Sequence, residues 1–275
     1  MRIHHLNCGT HCPVGGAFFD GHSQGVLAKL VTHCLLIETD RGLVLVDTGY
    51  GLQDVQHPHP RLSRIWRAVL NYRLHEEDTA LRQVERLGFS ARDVRHIVLT
   101  HLDFDHAGGL EDFPEARVHV MELERDTAEH KRRGFIAHQR YRPQQWDDVR
   151  DWRTYATGGQ PWFGFDAVRS LHGLPPEILM IPLGGHTFGH AGVAVQTGEG
   201  WMLNAGDAYF HHTEMDVARP RCTPGLIGYQ SVMEVDRKAR RSNQARLVDL
   251  KRAHGGEVNI FCSHDSHELA AFTGD

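Results

Sequence analysis

The sequence has no long apolar run. Stretches such as Gly42 to Val46 are typical of it, far short of the roughly 20 residues a helical membrane span needs. Its opening, MRIHHLNCGT, offers no apolar segment that could serve as a secretory signal. Cysteine is scarce: five residues, an odd number at uneven spacing, do not form a disulfide framework. A reducing, cytoplasmic setting is therefore expected. No Pro/Gly/Ser-rich linker divides the chain, and no block of like charges forms a tail. A net charge of -5 argues against a surface built for nucleic acid. At 275 residues the chain can bury a core without staples, and a single domain spanning 1–275 is predicted. Histidine is abundant by contrast, 22 against 12 phenylalanines, so the question is where these histidines cluster.

Apolar runs around an Asp40-Arg41-Gly42 turn predict a β-hairpin over Leu35 to Gly49. A similar unit recurs from Val193 to Asp207, with Thr197 falling on Thr39 and Gly200 on Gly42, which points to two related halves. Helical spacing of Leu81, Val84 and Leu87 predicts a helix over Glu76 to Gly88, the glycine acting as its C-terminal cap. Further strands are predicted at Val94–Thr100, Arg117–Met121, Glu177–Pro182 and Val258–Cys262, and helices at Glu122–His130 and Ser242–His254. Strands alternating with helices make an α/β chain. The stretch 131–174 lacks periodicity and is rich in aromatics, Tyr141, Trp146, Trp152 and Trp162 among them. It reads either as a lid or insertion, or as packing over the body of the fold.

Five segments place metal-ligand residue types directly after a strand: VDTG (Asp47), THLDFDHAGG (Thr100 to Gly109), GGHTFGH (Gly184 to His190), AGDAY (Asp207) and CSHD (His264). Residues two apart at a strand end point the same way, so His101 and Asp103 can face one ion. Asp105 and His106 follow at the turn and can face a second. Any one fragment alone would be ordinary turn chemistry. Together, at the strand ends where α/β folds carry their sites, they describe a metal centre.

In that order these motifs resemble those of the metallo-β-lactamase superfamily, and HAGG with GGHTFGH is most similar to its N-acyl-homoserine lactonase-like group. The resemblance implies a four-layer αβ/βα sandwich with the site at one edge. It also implies His101 and His190 on one metal, Asp105, His106 and His264 on the other, and Asp207 bridging. His186 and Asp47 are then read as residues that orient the ligand loops. The family's second histidine is Asp103 here. As a ligand, Asp103 hardens its site and shifts preference toward Mn²⁺ or Fe²⁺. Otherwise it stands behind the ligands and that site is weak. Two divalent cations, zinc first, are the expected cofactors. A cluster of Cys8, His11 and Cys12 reads as buried thiols or loop, and His211 and His212 as either pocket wall or solvated residues.

The chemistry implied is a metal-bound hydroxide attacking the ester-type carbonyl of a small molecule, as in a lactone. Asp207 would orient the nucleophile, Asp103 or Asp105 would take its proton, and Tyr209 is a candidate donor to the oxyanion or leaving group. A thioester hydrolase of the glyoxalase II type is the close alternative, and an iron-dependent oxidoreductase the more distant one. A non-catalytic binding module leaves the complete ligand set unexplained.

Overall fold

The computed structural model describes residues 1–167 and 171–274. Thirteen strands are present among them: β1 (Arg2–His11), β2 (Leu30–Thr39), β3 (Gly42–Val46), β4 (Tyr72–Arg73), β5 (Val94–Val98), β6 (Arg117–Met121), β7 (Trp152–Tyr155), β8 (Gln160–Trp162), β9 (Phe165–Ala167), β10 (Ile178–Pro182), β11 (Ala191–Thr197), β12 (Gly200–Asn204) and β13 (Val258–Phe261). One sheet has the order β4-β1-β2-β3-β5-β6-β7 and the other β10-β11-β12-β13, while β8 and β9 form a separate ribbon.

Alternation along the strands builds the layers. In β2, Leu35 and Ile37 face one side and Cys34 and Leu36 the other. Leu35 and Ile37 join Val44, Val98, Met180, Val193 and Phe261 in a core between the two sheets. Leu36 and Leu45 face outward onto the helix Ala80–Arg86 and onto Trp146. On the far side, Leu179, Leu203 and Ile260 pack against Leu247 and Leu250 of the helix Arg237–His254. Helix, sheet, sheet, helix is the four-layer α/β sandwich.

The two predicted hairpins are near copies. Thr39 pairs with Gly42, and its Oγ1 donates to the Gly42 carbonyl at 2.6 Å. Thr197 pairs with Gly200 and makes the same bond at 3.0 Å. Each hairpin is then extended by a parallel neighbour, β5 beside β3 and β13 beside β12.

Several elements differ from expectation. The predicted 76–88 helix is broken at Thr79, whose extended backbone and side chain cap Ala80–Arg86 behind a short 3₁₀ turn at Glu76–Asp78. The last long helix begins earlier, at Arg237, because Asp236 caps it through the Ala239 N–H at 2.9 Å. Within 131–174, whose residues 168–170 lie outside those described, there is a helix at Gly134–Arg140 and the edge strand β7. Tyr141 and Trp146 pack into the outer core of the first sheet, and Trp162 and Phe165 into that of the second.

Candidate metal centre

The centre lies where β1, β5, β10, β12 and β13 end. Asp207, in the turn after β12, stands in its middle. Its Oδ1 is 3.2 Å from His264 Nε2 and 3.4 Å from His106 Nε2, and its Oδ2 is 3.3 Å from His186 Nε2 and 3.8 Å from His101 Nε2. Asp105 flanks the first pair, its Oδ2 3.7 Å from His264 Nε2 and 3.6 Å from His11 Nε2. Asp103 flanks the second, with Oδ2 3.4 Å from His101 Nε2. All of these side chains are buried.

Hydrogen bonds behind the rings settle which nitrogen faces inward. His106 donates from Nδ1 to Asp47 Oδ2 at 2.9 Å, His101 from Nδ1 to Thr100 Oγ1 at 2.9 Å, and His264 from Nδ1 to the Val31 carbonyl at 2.7 Å. Each therefore turns its Nε2 toward the centre. Asp47, at φ 57°, also takes the N–H and the hydroxyl of Thr100, both at 2.8 Å. A single carboxylate thus fixes the rings of His106 directly and of His101 through Thr100.

Whether the residues fit a cation can be judged from their unpaired atoms. Buried polar atoms are nearly always hydrogen-bonded, yet His101 Nε2, His106 Nε2 and Asp207 Oδ1 have no partner. Three such lone-pair atoms within 4.8 Å of one another match the donor set of a divalent ion. Burial pushes the Asp105 carboxyl up to about 6, against the pull of His106 and His264. Burial and the neighbouring His106 hold the His101 imidazole well below its usual range, which keeps it a neutral donor.

Three residues sit differently from expectation. His190, not His186, was expected to ligate. Both His190 nitrogens are committed to backbone: Nδ1 donates to the Leu183 carbonyl at 3.1 Å and Nε2 accepts the Asp207 N–H at 2.9 Å. It therefore holds the Asp207 turn. Gly206, at φ 55°, permits the approach, since a Cβ there would lie 2.6 Å from His190 Nε2. His186 takes the place in the cluster instead. Tyr209 was a candidate donor to the substrate, but it is fully buried and its hydroxyl donates to Glu268 Oε1 at 2.9 Å. Asp103 was read first as a free ligand, and it is instead held by Arg140, Nε to Oδ1 at 2.7 Å and Nη2 to Oδ2 at 2.6 Å. Although burial opposes ionisation, that guanidinium keeps the Asp103 carboxyl well below the usual carboxylate range.

The sequence carries no signal for Arg140 or Glu124, and His11 reads there as part of a loop or thiol cluster. His11, at the end of β1, lies in the centre beside Asp105, with Tyr50 Oη 2.8 Å from its Nε2. Arg140 carried no local signal. Glu124 is buried in the helix Glu122–His130, and its carboxylate accepts the N–H groups of Leu102 at 3.0 Å and Gly189 at 3.2 Å and the Tyr141 hydroxyl at 3.3 Å. It therefore ties the two ligand loops together. His211 and His212 stand aside, bonded to Thr213 Oγ1 and Asp265 Oδ2 respectively.

The chain is similar to known proteins over most of its length. Over 265 residues the chain is 41% identical to a probable metallo-hydrolase of Mycobacterium tuberculosis, covering 96% of this chain and 80% of the relative. It is 30% identical over 125 residues to an N-acyl homoserine lactonase of Bacillus cereus, covering 43% and 50% respectively. Among solved structures, an N-acyl homoserine lactone hydrolase with N-hexanoyl-L-homoserine at its catalytic metal centre superposes with TM-score 0.73 at 20% identity, covering 98% of this chain and 95% of the other. AidC, a dizinc quorum-quenching lactonase, gives 0.60 at 17% identity, covering 95% and 86%. The metallo-beta-lactamase superfamily profile matches residues 27–248, and the chain belongs to that superfamily.

Proposed function

We propose that this metallo-hydrolase opens a lactone or a related carboxylic ester of a small molecule. The observation that carries the reading is the set of unpaired, inward-facing ligand atoms around Asp207. The partial likeness to N-acyl homoserine lactonases supports the ester class. A divalent cation bound there, zinc first and Mn²⁺ or Fe²⁺ next, supplies Lewis acidity and activation of water near neutral pH.

The chain's own groups do the rest. Asp47, Thr100 and the Val31 carbonyl hold three imidazoles by Nδ1, with Nε2 turned to the centre. Asp207 spans both halves of the centre. Asp105 is the carboxylate placed to take up the proton released on attack, because Asp103 is engaged by Arg140. With its hydroxyl on Glu268, Tyr209 is not placed to donate to the reacting carbonyl. Thioesters remain the second substrate class, since the same attack serves either carbonyl.

Purification without added metal, elemental analysis, and a screen of lactones, thioesters and β-lactams test the reading. Lactone or ester turnover that chelation abolishes and Asp207→Ala removes is expected. A fully active Asp207→Ala variant, or iron with oxygen consumption and no hydrolysis, would overturn it.

A further inference from the structure

Arg140 ends the helix Gly134–Arg140 and is 1% exposed. A guanidinium has five N–H donors, and here all five are used. Nε and Nη2 clasp the two oxygens of Asp103. The second hydrogen of Nη2 goes to His186 Nε2 at 2.7 Å, and Nη1 reaches the His186 and Met233 carbonyls at 3.1 and 2.9 Å. The carboxylate of Asp103 and the Nε2 lone pair of His186 are two of the three donors that one half of the centre would offer besides Asp207. Both already hold a cation, and it is a covalently tethered one. On that side His101 Nε2 has no hydrogen-bond partner, and His186 Nδ1, the other nitrogen of that ring, has none either.

The other half is unlike it. Among the described residues no Lys or Arg pairs with Asp105 or Asp207, whose ionic partners are His11, His101, His106, His186 and His264. Charge therefore distinguishes the halves. Asp103 is neutralised within its own pair, whereas Asp105 and Asp207 keep a negative field to draw a dication. An arginine cannot be deprotonated away, and a bidentate guanidinium–carboxylate pair is among the stronger ones.

Resting on the reading of this cluster as a metal centre, we propose that it binds one divalent cation tightly, through Asp105, His106, His264 and Asp207, and that the Arg140 guanidinium on Asp103 stands in place of a second. Arg140 acts as a positioning residue. Its donors are all spent, so it offers no hydrogen bond to substrate and supplies only a fixed positive charge.

Titration of the chelator-stripped protein with Mn²⁺, by calorimetry and electron paramagnetic resonance, tests this independently of turnover. The wild type is expected to take up about one tight equivalent, with the spectrum of an isolated ion rather than a spin-coupled pair. The double variant Asp103→His/Arg140→Leu removes both partners together and so leaves no lone buried charge. It is expected to gain a second equivalent bound at least about tenfold more tightly than in the wild type. Two tight, spin-coupled equivalents in the wild type would overturn the proposal, as would a folded double variant that still binds one. If the double variant does not fold, the wild-type stoichiometry decides alone. One tight equivalent without any ester or thioester turnover would refute the hydrolase reading and leave this one standing, whereas no bound metal would sink both.

Discussion

Asp47 Oδ2 and His106 Nδ1 are 2.9 Å apart, and the same carboxylate holds Thr100, which in turn holds His101. Removing that anchor frees two ligand rings at once. Partners of this kind are worth about 10–100-fold in metal affinity. Asp47→Ala is expected to weaken metal binding by about that factor while keeping the stoichiometry, as calorimetric titration would read. Unchanged affinity would show that the rings are held in place without it.

Tyr209 faces Glu268 and not the centre. Tyr209→Phe should therefore leave kcat within about twofold of the wild type, where loss of a general acid would cost about 10²–10⁴-fold. Stability should fall by about 1 kcal/mol for the lost hydrogen bond, read by denaturant melts. A hundredfold fall in kcat would restore Tyr209 to the reaction.

Glu268 gives a pH signature away from the metal. Burial, then the nearby Asp265 charge, raise its carboxyl to about 7 from an ordinary 4.5. Between these values the unfolded chain has released the proton and the folded one keeps it. Stability contributed by this group is thus whole below about pH 4.5 and is lost as pH rises to about 7. The Tm difference between Glu268→Gln and wild type should move in the variant's favour across that window and level off above it. A difference independent of pH would refute the shift.

Glu124 accepts from two loop amides and a tyrosine. Glu124→Ala strands those donors in the interior, at a cost of about 3 kcal/mol in urea melts. Metal affinity should fall with it, because Leu102 lies between His101 and Asp103, and Gly189 precedes His190, which holds the Asp207 turn. Glu124→Gln, which keeps one acceptor oxygen, should lose less on both measures.

The layers and most of the strands were legible because alternating apolar residues and glycine turns are local signals. The strand Arg117–Met121 and the helix Glu122–His130 fall where periodicity puts them. β1 was missed because RIHHLNCGTH is polar on both faces; His5 and His33, for instance, bond to each other at 2.7 Å across β1 and β2. Residue types that follow strands marked out His101, Asp105, His106, Asp207 and His264, which the fold brings together. The choice between His186 and His190 was not local. It depends on which ring the Leu183 carbonyl and the Asp207 amide engage, and spacing does not encode that. Arg140 was invisible for a similar reason: it reaches Asp103 across 37 positions from a segment with no period.

The groups gathered around Asp207 come from the loops after β5, β10 and β13, with His11 contributed by β1. A chain emerging residue by residue holds His101, Asp105 and His106 long before His264 exists, and a lone His-Asp cluster is a poor and promiscuous chelator. Capture of an ion by this centre would therefore wait on docking of β13, which brings His264 beside Asp207.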